Sequence, residues 1–590
     1  MKIPRLISKQ FMLYLSLTSF FLVFTIIIYA PLEMFLGNIN SFEFGLDLIW
    51  WIPLGLAIAV MGLLLGLGFA VNLIFKRIGT ILYGAFLFAI GLAFYIQGNF
   101  AGLQLGVMNG AKIDFSEYTS QAFANVFLWV FIILAVFIFL YFLKSRGVKP
   151  LLYASAILIG MQSVALFVSI SSVDVKTDVS VVSDKGLFEV SDNKNVIVCV
   201  LDMFDQTYFE EILKTESTLK DNLDGFTYFT NSVGSASSTK YALGMILTGQ
   251  VLMNDGKDIP ETTDIAYSKT DFYDVLAENH YRIDMYTTHC LSQKLLQKSY
   301  NYTELTKSSI SSYKTLAKDL YQLALCKYAP DVLKPFVWMN GTEFEGIVKR
   351  NIAAYNKRNS RVADALRNSS FELNNDANMF KFIHLSGAHP PYSNDGNANR
   401  VPENSATALS AGRGSLQVAF EYMEEMKKLG VYDDSFIIIC ADHGYYDAGV
   451  LTNPILLVKR AGDSGEMKVS DVPVSHMDFH ATIMTDLGLN QDHKYGKSVF
   501  EIEPGEQRHR MFYQFRLGEH SGVKNKIRLI EYSVADESNL RRSFRLTDRE
   551  ISENGDIIPH KINCAYCLSG AYDNEDPNAP GDAQFIHTRK

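Results

Sequence analysis

The first 170 or so residues of this 590-residue chain constrain its fold most, because they are strongly apolar and the rest is not. Five apolar runs, near 11–30, 50–75, 78–97, 126–143 and 150–170, are each about long enough to cross a bilayer. The first is too long for a signal-peptide core, has no clear small-residue cleavage site and is followed by four more, so it reads as a span. The runs hold almost no ionisable residues, which argues against a proton or ion pathway. Two readings stand for them: an anchor, or a part in substrate entry.

Basic residues orient the spans. Lys2, Arg5 and Lys9 precede the first, Lys76 and Arg77 separate the second from the third, and Lys144, Arg146 and Lys149 separate the fourth from the fifth. The opposite loops carry Glu33, Glu43, Asp47, Asp114 and Glu117, with Lys112 the only base. The pattern predicts a multi-pass protein of the cell membrane, with a cytoplasmic N-terminus and an extracytoplasmic C-terminal part. A net charge of −9 gives no support to a nucleic-acid partner. The expected organisation is a five-helix transmembrane bundle over 1–172, a linker over 173–194, a catalytic domain over 195–504, and a C-terminal subdomain and tail over 505–590.

From residue 195 on, short apolar strand candidates alternate with helical patterns. NVIVCVLD (195–202) is a continuous β-branched run suited to a parallel strand covered on both faces. FTYFTNSV (226–233), YRIDMYTT (281–288), MFKFIHLS (379–386), SFIIIC (435–440) and PILLVK (454–459) follow. SLQVAFEYMEEMKKLG (415–430) has apolar residues at helical spacing, lysines in its last turn and a terminal glycine. RMFYQF (510–515) and IRLIEYSV (527–534) suggest a small added sheet. This alternation predicts an α/β domain with a mostly parallel central sheet, whose ligands bind beyond the carboxyl ends of the strands.

Three strands end in residues able to do chemistry there. NVIVCVL runs into Asp202, FIIICA into Asp442-His443-Gly444, and FIHLSGAHPPY places His389 just past a strand. Carboxylates plus imidazole suit Mn, Zn or Mg rather than a thiolate site. The alternative for any one of them is a helix cap or a core hydrogen bond. Candidate nucleophilic hydroxyls lie in SVGSASSTKYALGMILTGQ (232–250), where Ser237-Ser238-Thr239 precede an apolar helical stretch and Lys240 adds positive charge. The competing reading is that these hydroxyls only cap the helix. Cys199 and Cys440 fall inside strands and read as buried thiols. Cys564 and Cys567 form a lone CxxC with no second pair, which favours a disulfide or no role over a metal site. The segment 311–339, amphipathic with Pro330 and Pro335, reads either as a helix at the membrane interface or as an ordinary insertion on the domain.

Taken in order, NVIVCVLD, STKYALGMILTG, FIHLSGAHPPY, KLGVYDDSFIIICADHG and VSHMDFHATIMTDLG resemble the sulfatase branch of the alkaline phosphatase superfamily over residues 195–500. In sulfatases a modified Cys begins the segment ending in Leu-Thr-Gly. Thr239 holds that place here, and Lys240-Tyr241-Ala242-Leu243 replaces the Pro-Ser-Arg that follows it, which argues against a formylglycine sulfatase. A Thr nucleophile is similar instead to the membrane-anchored branch of lipoteichoic acid synthase and the phosphoglycerol and phosphoethanolamine transferases. That resemblance implies a metal held by Asp202, Thr239, Asp442 and His443, the ion being Mn²⁺ or Zn²⁺ with Mg²⁺ or Ca²⁺ as alternatives. It implies substrate contact by His389, with His289 and His476 as further candidates, His476 standing between a supporting role behind the site and core packing, and Lys240 beside the nucleophile. The chain departs from it at Asp202, where the synthases have Glu, and at Gly444.

The implied activity moves phosphoglycerol or phosphoethanolamine from a phospholipid donor to a cell-envelope glycan or polymer, through a phospho-threonine. One rival is a hydrolase of phosphate or sulfate esters on the same metal site. The other is a catalytically inactive envelope sensor or scaffold, against which the joint presence of Asp202, Thr239, Asp442 and His443 speaks.

Overall fold

The structure, a computed structural model, describes residues 9–559 apart from 40–41, 43, 104–112, 173–179, 253–258, 305–307, 340–341, 345–346, 351–353, 404, 445–452, 519–525, 535–543 and 552–556. The CxxC at Cys564 and Cys567 and the expected tail lie outside the described residues. The chain forms two units, one of residues 1–179 with 305–351, the other of 180–304 with 352–590.

Among the described residues, four helical segments in the first unit are long and apolar enough to cross a membrane: Gln10–Gly37, Leu46–Phe100, Phe115–Leu143 and Val148–Ser172. The sequence reading counts five runs, and the difference lies in the second segment. Its helix Trp51–Phe100 would be about 75 Å long if straight, but Lys76 has non-helical backbone (φ 53°, ψ −146°). Tyr83 Oη donates to the Leu64 carbonyl at 3.0 Å, whereas 19 residues of straight helix separate their ends by about 28 Å. The helix therefore doubles back at Lys76, between the second and third apolar runs.

The segment 311–339 packs in this unit rather than on the α/β domain. Its helix Tyr313–Tyr328 buries Leu316, Leu320, Ala324 and Tyr328. Tyr321 Oη donates to the Ile27 carbonyl at 2.9 Å, and Lys327 Nζ pairs with Glu33 at 2.7 Å. Behind it lies a buried polar network. Gln97 Nε2 donates to Asp331 Oδ1 (3.0 Å), while Gln97 Oε1 accepts from Asn125 Nδ2 (2.7 Å) and Trp129 Nε1 (2.9 Å). The Asp331 N–H donates to Asn125 Oδ1 at 3.0 Å, and Lys334 Nζ lies 3.5 Å from Asp331.

In the second unit a seven-stranded sheet forms from β1 (Asn195–Leu201), β2 (Phe226–Phe229), β3 (Tyr281–Tyr286), β4 (Asn378–Leu385), β5 (Phe436–Cys440), β6 (Leu456–Lys459) and β7 (Lys468–Ser470). Their order is β7-β2-β6-β5-β1-β4-β3, and only β6 runs antiparallel to its neighbours. The β1 strand is wholly buried, as its unbroken apolar run predicts for a strand covered on both faces. The helix predicted over 415–430 forms and starts earlier, as Ala408–Lys428, because Thr407 and Ser410 make a capping box.

The expected linker over 173–194 needs correction. Ser180–Val182 pairs with Tyr302–Glu304, and Glu189–Ser191 with Glu372–Asn374. Leu187 and Val190 are core residues. Polar composition hides this, because only alternate residues of these short strands turn inward. After residue 505, Arg510–Gly518, Lys526–Val534, Phe544–Ile551 and Ile557–Pro559 form a separate antiparallel sheet.

Register and alternation then place the functional side chains. In β1 the residues Val196, Val198 and Val200 face one core, and Ile197, Cys199 and Leu201 face the other. The first core also takes Phe380 and Phe382 of β4, Phe436, Ile438 and Cys440 of β5, and Leu243, Ile246 and Leu247 of the helix Thr239–Thr248. With a side-chain period of two, Asp202, His384 and Asp442 continue that same face. Cys440 pairs with Val200 and His384 also pairs with Val200, so the two carboxylates arrive side by side.

Candidate active site

Asp202 is fully buried at the end of β1 and Asp442 is fully buried just beyond β5. The backbone between them is shaped to hold them. Met203 takes a left-handed conformation (φ 58°), which costs a non-glycine residue about 1–2 kcal/mol. That turn lets its N–H donate to Asp442 Oδ1 at 3.1 Å. The His443 N–H donates to the same oxygen at 2.8 Å. Asp442 Oδ2 is buried with no hydrogen-bond partner among the described residues.

His443 turns one ring nitrogen toward the two carboxylates. Its Nδ1 donates to the Gly444 carbonyl at 2.9 Å, which leaves the Nε2 lone pair available as a ligand. Nε2 lies 3.6 Å from Asp442 Oδ2 and 3.9 Å from Asp202 Oδ1. Ligand atoms of Asp202, Asp442 and His443 all lie within 4.8 Å of one another. An orphaned, buried carboxylate oxygen beside a second carboxylate and an open imidazole nitrogen fits a divalent cation, because leaving such an oxygen unpaired is costly.

Thr239 closes the group. Its Oγ1 is 3.4 Å from Asp202 Oδ1 and 3.3 Å from His443 Nε2. It opens the helix Thr239–Thr248, whose N-cap residue Ser238 makes no side-chain cap bond. The cap reading therefore fails for Ser238, and the positive end of the helix stays open to an anion. Gly249, left-handed at φ 64°, ends the helix. The loop before Thr239 is pinned from the C-terminal sheet: Tyr513 N–H donates to the Ser235 carbonyl at 3.0 Å, and Ser237 N–H to the Tyr513 carbonyl at 3.1 Å.

His476 packs against the same loop. It is buried, and its Nδ1 accepts from the Ser235 N–H at 3.2 Å. Burial and the neighbouring His443 push its imidazole down to about 3, so it stays neutral. This contact with the loop before Thr239 accords with a supporting position behind the site. Its place beside the catalytic loop comes from packing that spacing alone does not reveal.

His289 and His389 are both half-buried. His289 lies with its ring 5.9 Å from that of His384. Burial, then Lys357 and His384, push His289 down to about 3. Lys240 is exposed, and its carbonyl accepts from Cys290 Sγ at 2.7 Å.

Two residues that sequence reasoning missed complete the cluster. Lys357 Nζ pairs with Asp202 Oδ2 at 2.6 Å. His384, fully buried in β4, places Nε2 3.4 Å from the same oxygen and Nδ1 3.3 Å from Thr287 Oγ1. Burial pushes the Asp202 carboxyl up, but Lys357, His389 and His384 outweigh it and hold it well below the usual carboxylate range. Strand alternation would have found His384, which shares a face with Phe380 and Phe382. Lys357 sits in no motif.

No protein-family model matches the chain. No curated protein matches it either. Among solved structures it is similar to a phosphonate monoester hydrolase from Silicibacter pomeroyi, at 12% identity and TM-score 0.35 over 67% of this chain and 95% of that one. It is similar to an alkaline phosphatase superfamily protein from Vibrio parahaemolyticus (13%, TM-score 0.34, 68% and 92%). A putative sulfatase from Bacteroides fragilis gives 10% identity and TM-score 0.35 over 64% and 92%. At TM-scores this low nothing is carried over from these proteins, and the reading of the site rests on its own side chains.

Proposed function

We propose that this chain is a membrane-anchored, metal-dependent phospho-headgroup transferase of the sulfatase branch of the alkaline phosphatase superfamily. The observation that carries the reading is the Thr239 hydroxyl, set at an open helix N-terminus between Asp202 Oδ1 and His443 Nε2. In this reading a divalent ion, Mn²⁺ or Zn²⁺, held by Asp202, Asp442, His443 and the Thr239 oxygen, lowers the pKa of that hydroxyl and offsets charge on the phosphoryl oxygens.

Thr239 Oγ1 attacks the phosphorus of a phospholipid, an Oγ–P bond forms, and the P–O bond to the glyceride breaks. Diacylglycerol leaves with a proton. The hydroxyl of an envelope glycan or polymer then attacks the phospho-threonine, takes the headgroup phosphate and returns Thr239. The helix N-terminus stabilises charge on the transferred group, and His389 contacts its oxygens. Five membrane passes, a cytoplasmic N-terminus and an outer catalytic domain accompany the proposal. The doubled helix about Lys76 supports the odd number of passes. Anchoring keeps the site near a donor whose phosphate lies at the bilayer surface.

The test is diacylglycerol release from phosphatidylglycerol and from phosphatidylethanolamine by the full-length protein with Mn²⁺ or Zn²⁺, with Thr239→Ala as control. Thr239-dependent release from one lipid names the donor. Release from neither, with turnover of soluble phosphate or sulfate esters, makes the chain a hydrolase.

A further inference from the structure

The two oxygens of Asp202 face different company. Oδ1 looks toward Thr239 and His443, the side of the proposed ion. Oδ2 looks toward Lys357 and His384. Lys357 is not a stray surface lysine that happens to reach a carboxylate. Its backbone carbonyl accepts from the Ser386 N–H at 2.7 Å, and the neighbouring Tyr355 Oη donates to the His384 carbonyl at 2.8 Å. Asn359, fully buried, accepts from the Gly387 N–H at 3.0 Å and donates to the Gly387 and Ala411 carbonyls. Gly387 itself is pressed on Asp202: a Cβ there would meet the Asp202 carbonyl oxygen at 2.2 Å. One hydrogen-bonded frame thus carries Asp202 and aims Lys357.

We infer that Lys357 is a substrate-binding residue whose ammonium group holds a non-bridging oxygen of the phosphate on which Thr239 acts. This deepens the transferase reading and rests on it for the identity of the nucleophile. Asp202 is the one hydrogen-bond partner of Lys357 Nζ among the described residues, and an ammonium group has three donors. The side chain is 27% exposed while Asp202 is fully buried, so the pair is reached from the Lys357 side. Charge arithmetic points the same way. Two carboxylates balance one divalent ion and leave no net attraction for an anion. Lys357 supplies the positive charge that a phosphodiester, or inorganic phosphate, would meet beside the two buried carboxylates.

A purely structural lysine makes a different prediction, since it would serve only to hold Asp202 for the ion. The experiment measures two affinities in the full-length protein in detergent: Mn²⁺ by titration of the metal-free protein, and inorganic phosphate by calorimetry at saturating Mn²⁺. Lys357→Gln keeps a hydrogen bond to Asp202 and removes the charge. Lys357→Arg keeps the charge. The inference expects Mn²⁺ to bind Lys357→Gln no more weakly than wild type while phosphate binds at least tenfold more weakly, with phosphate binding kept within about threefold by Lys357→Arg. Unchanged phosphate affinity in Lys357→Gln overturns it, as does loss of Mn²⁺ together with phosphate. If Lys357→Gln fails to fold, a folded Lys357→Arg that has lost phosphate binding also overturns it. The readout needs no lipid. A chain that releases no diacylglycerol yet shows this pattern keeps the inference and loses the lipid donor, whereas lipid turnover with no effect of Lys357 on phosphate does the reverse.

Discussion

Each unit of this molecule buries a cluster of polar side chains, and the two clusters differ in whether they are complete. In the first unit Gln97, Asn125, Trp129 and Asp331 answer one another donor for acceptor, and Lys334 adds a bond to the Cys326 carbonyl. In the second unit Asp442 Oδ2 is buried without a hydrogen-bond partner among the described residues. A closed network specifies packing, while an open one carries a standing cost that a ligand can remove. The difference separates a joint from a site without appeal to any relative.

The strongest way to break that comparison is at the nucleophile. Thr239→Ala should lower turnover at least about 10³-fold. It should leave the melting temperature near wild type, because Thr239 is only half-buried and its helix is held by Leu243, Ile246 and Leu247. Retained turnover would move the nucleophile to Ser238 or remove the covalent step. Asp442→Asn comes next. Its Oδ1 still accepts the N–H groups of Met203 and His443, so the backbone stays in place while the ligand charge is lost. Metal analysis of the purified variant should show at least tenfold weaker binding, and full metal content in it would refute the assignment of the open carboxylate.

The same substitution logic in the closed cluster should act on stability and not on metal. Asp331→Leu leaves the buried Lys334 without its counter-ion and removes one of the two acceptors of Gln97 Nε2, the Ala101 carbonyl remaining, at a cost of about 3–5 kcal/mol. Thermal melting in detergent would show it as a lowered transition, with Mn²⁺ affinity unchanged in the protein that remains folded. A variant that melts like wild type would mean that the network is dispensable.

What could be read beforehand follows the same division. The β1 and β5 strands announce themselves as apolar runs, and a residue that ends such a run inherits its register, so Asp202, Asp442 and His443 were visible as a set. The pairing of Cys440 with Val200 is what makes two separate strand ends into one site. Lys357 was invisible because nothing local marks it. It reaches Asp202 through hydrogen bonds between Asn359 and Gly387, contacts made in the fold and absent from any short stretch. The membership of 311–339 was hidden for a related reason: an amphipathic helix declares that it has a partner but not which one, and its burial against Ile27, Glu33 and Gln97 depends on tertiary structure alone. The break at Lys76 shows the reverse case, where the basic pair was plain in the sequence and marks the point at which the helix doubles back.

His480 offers the smallest test, a buried polar group that is paired yet titratable. Its ring stacks on Phe272 at 4.0 Å, and its Nε2 donates to the Leu247 carbonyl at 3.2 Å. Burial pushes its imidazole down to about 4, against an ordinary value near 6.5. Below pH 6.5 the unfolded chain therefore takes up a proton that the folded chain refuses. Stability from this group is complete above pH 6.5 and is lost as the pH falls toward 4, at up to about 1.4 kcal/mol per pH unit. His480→Phe removes that proton while keeping a ring against Phe272. Denaturant melts at pH 7 and pH 5 should show the variant losing less stability on acidification than wild type, whatever its stability at pH 7. Equal losses would mean that His480 is protonated in the folded protein, and that a paired buried group is no safer a guide to structural role than an unpaired one.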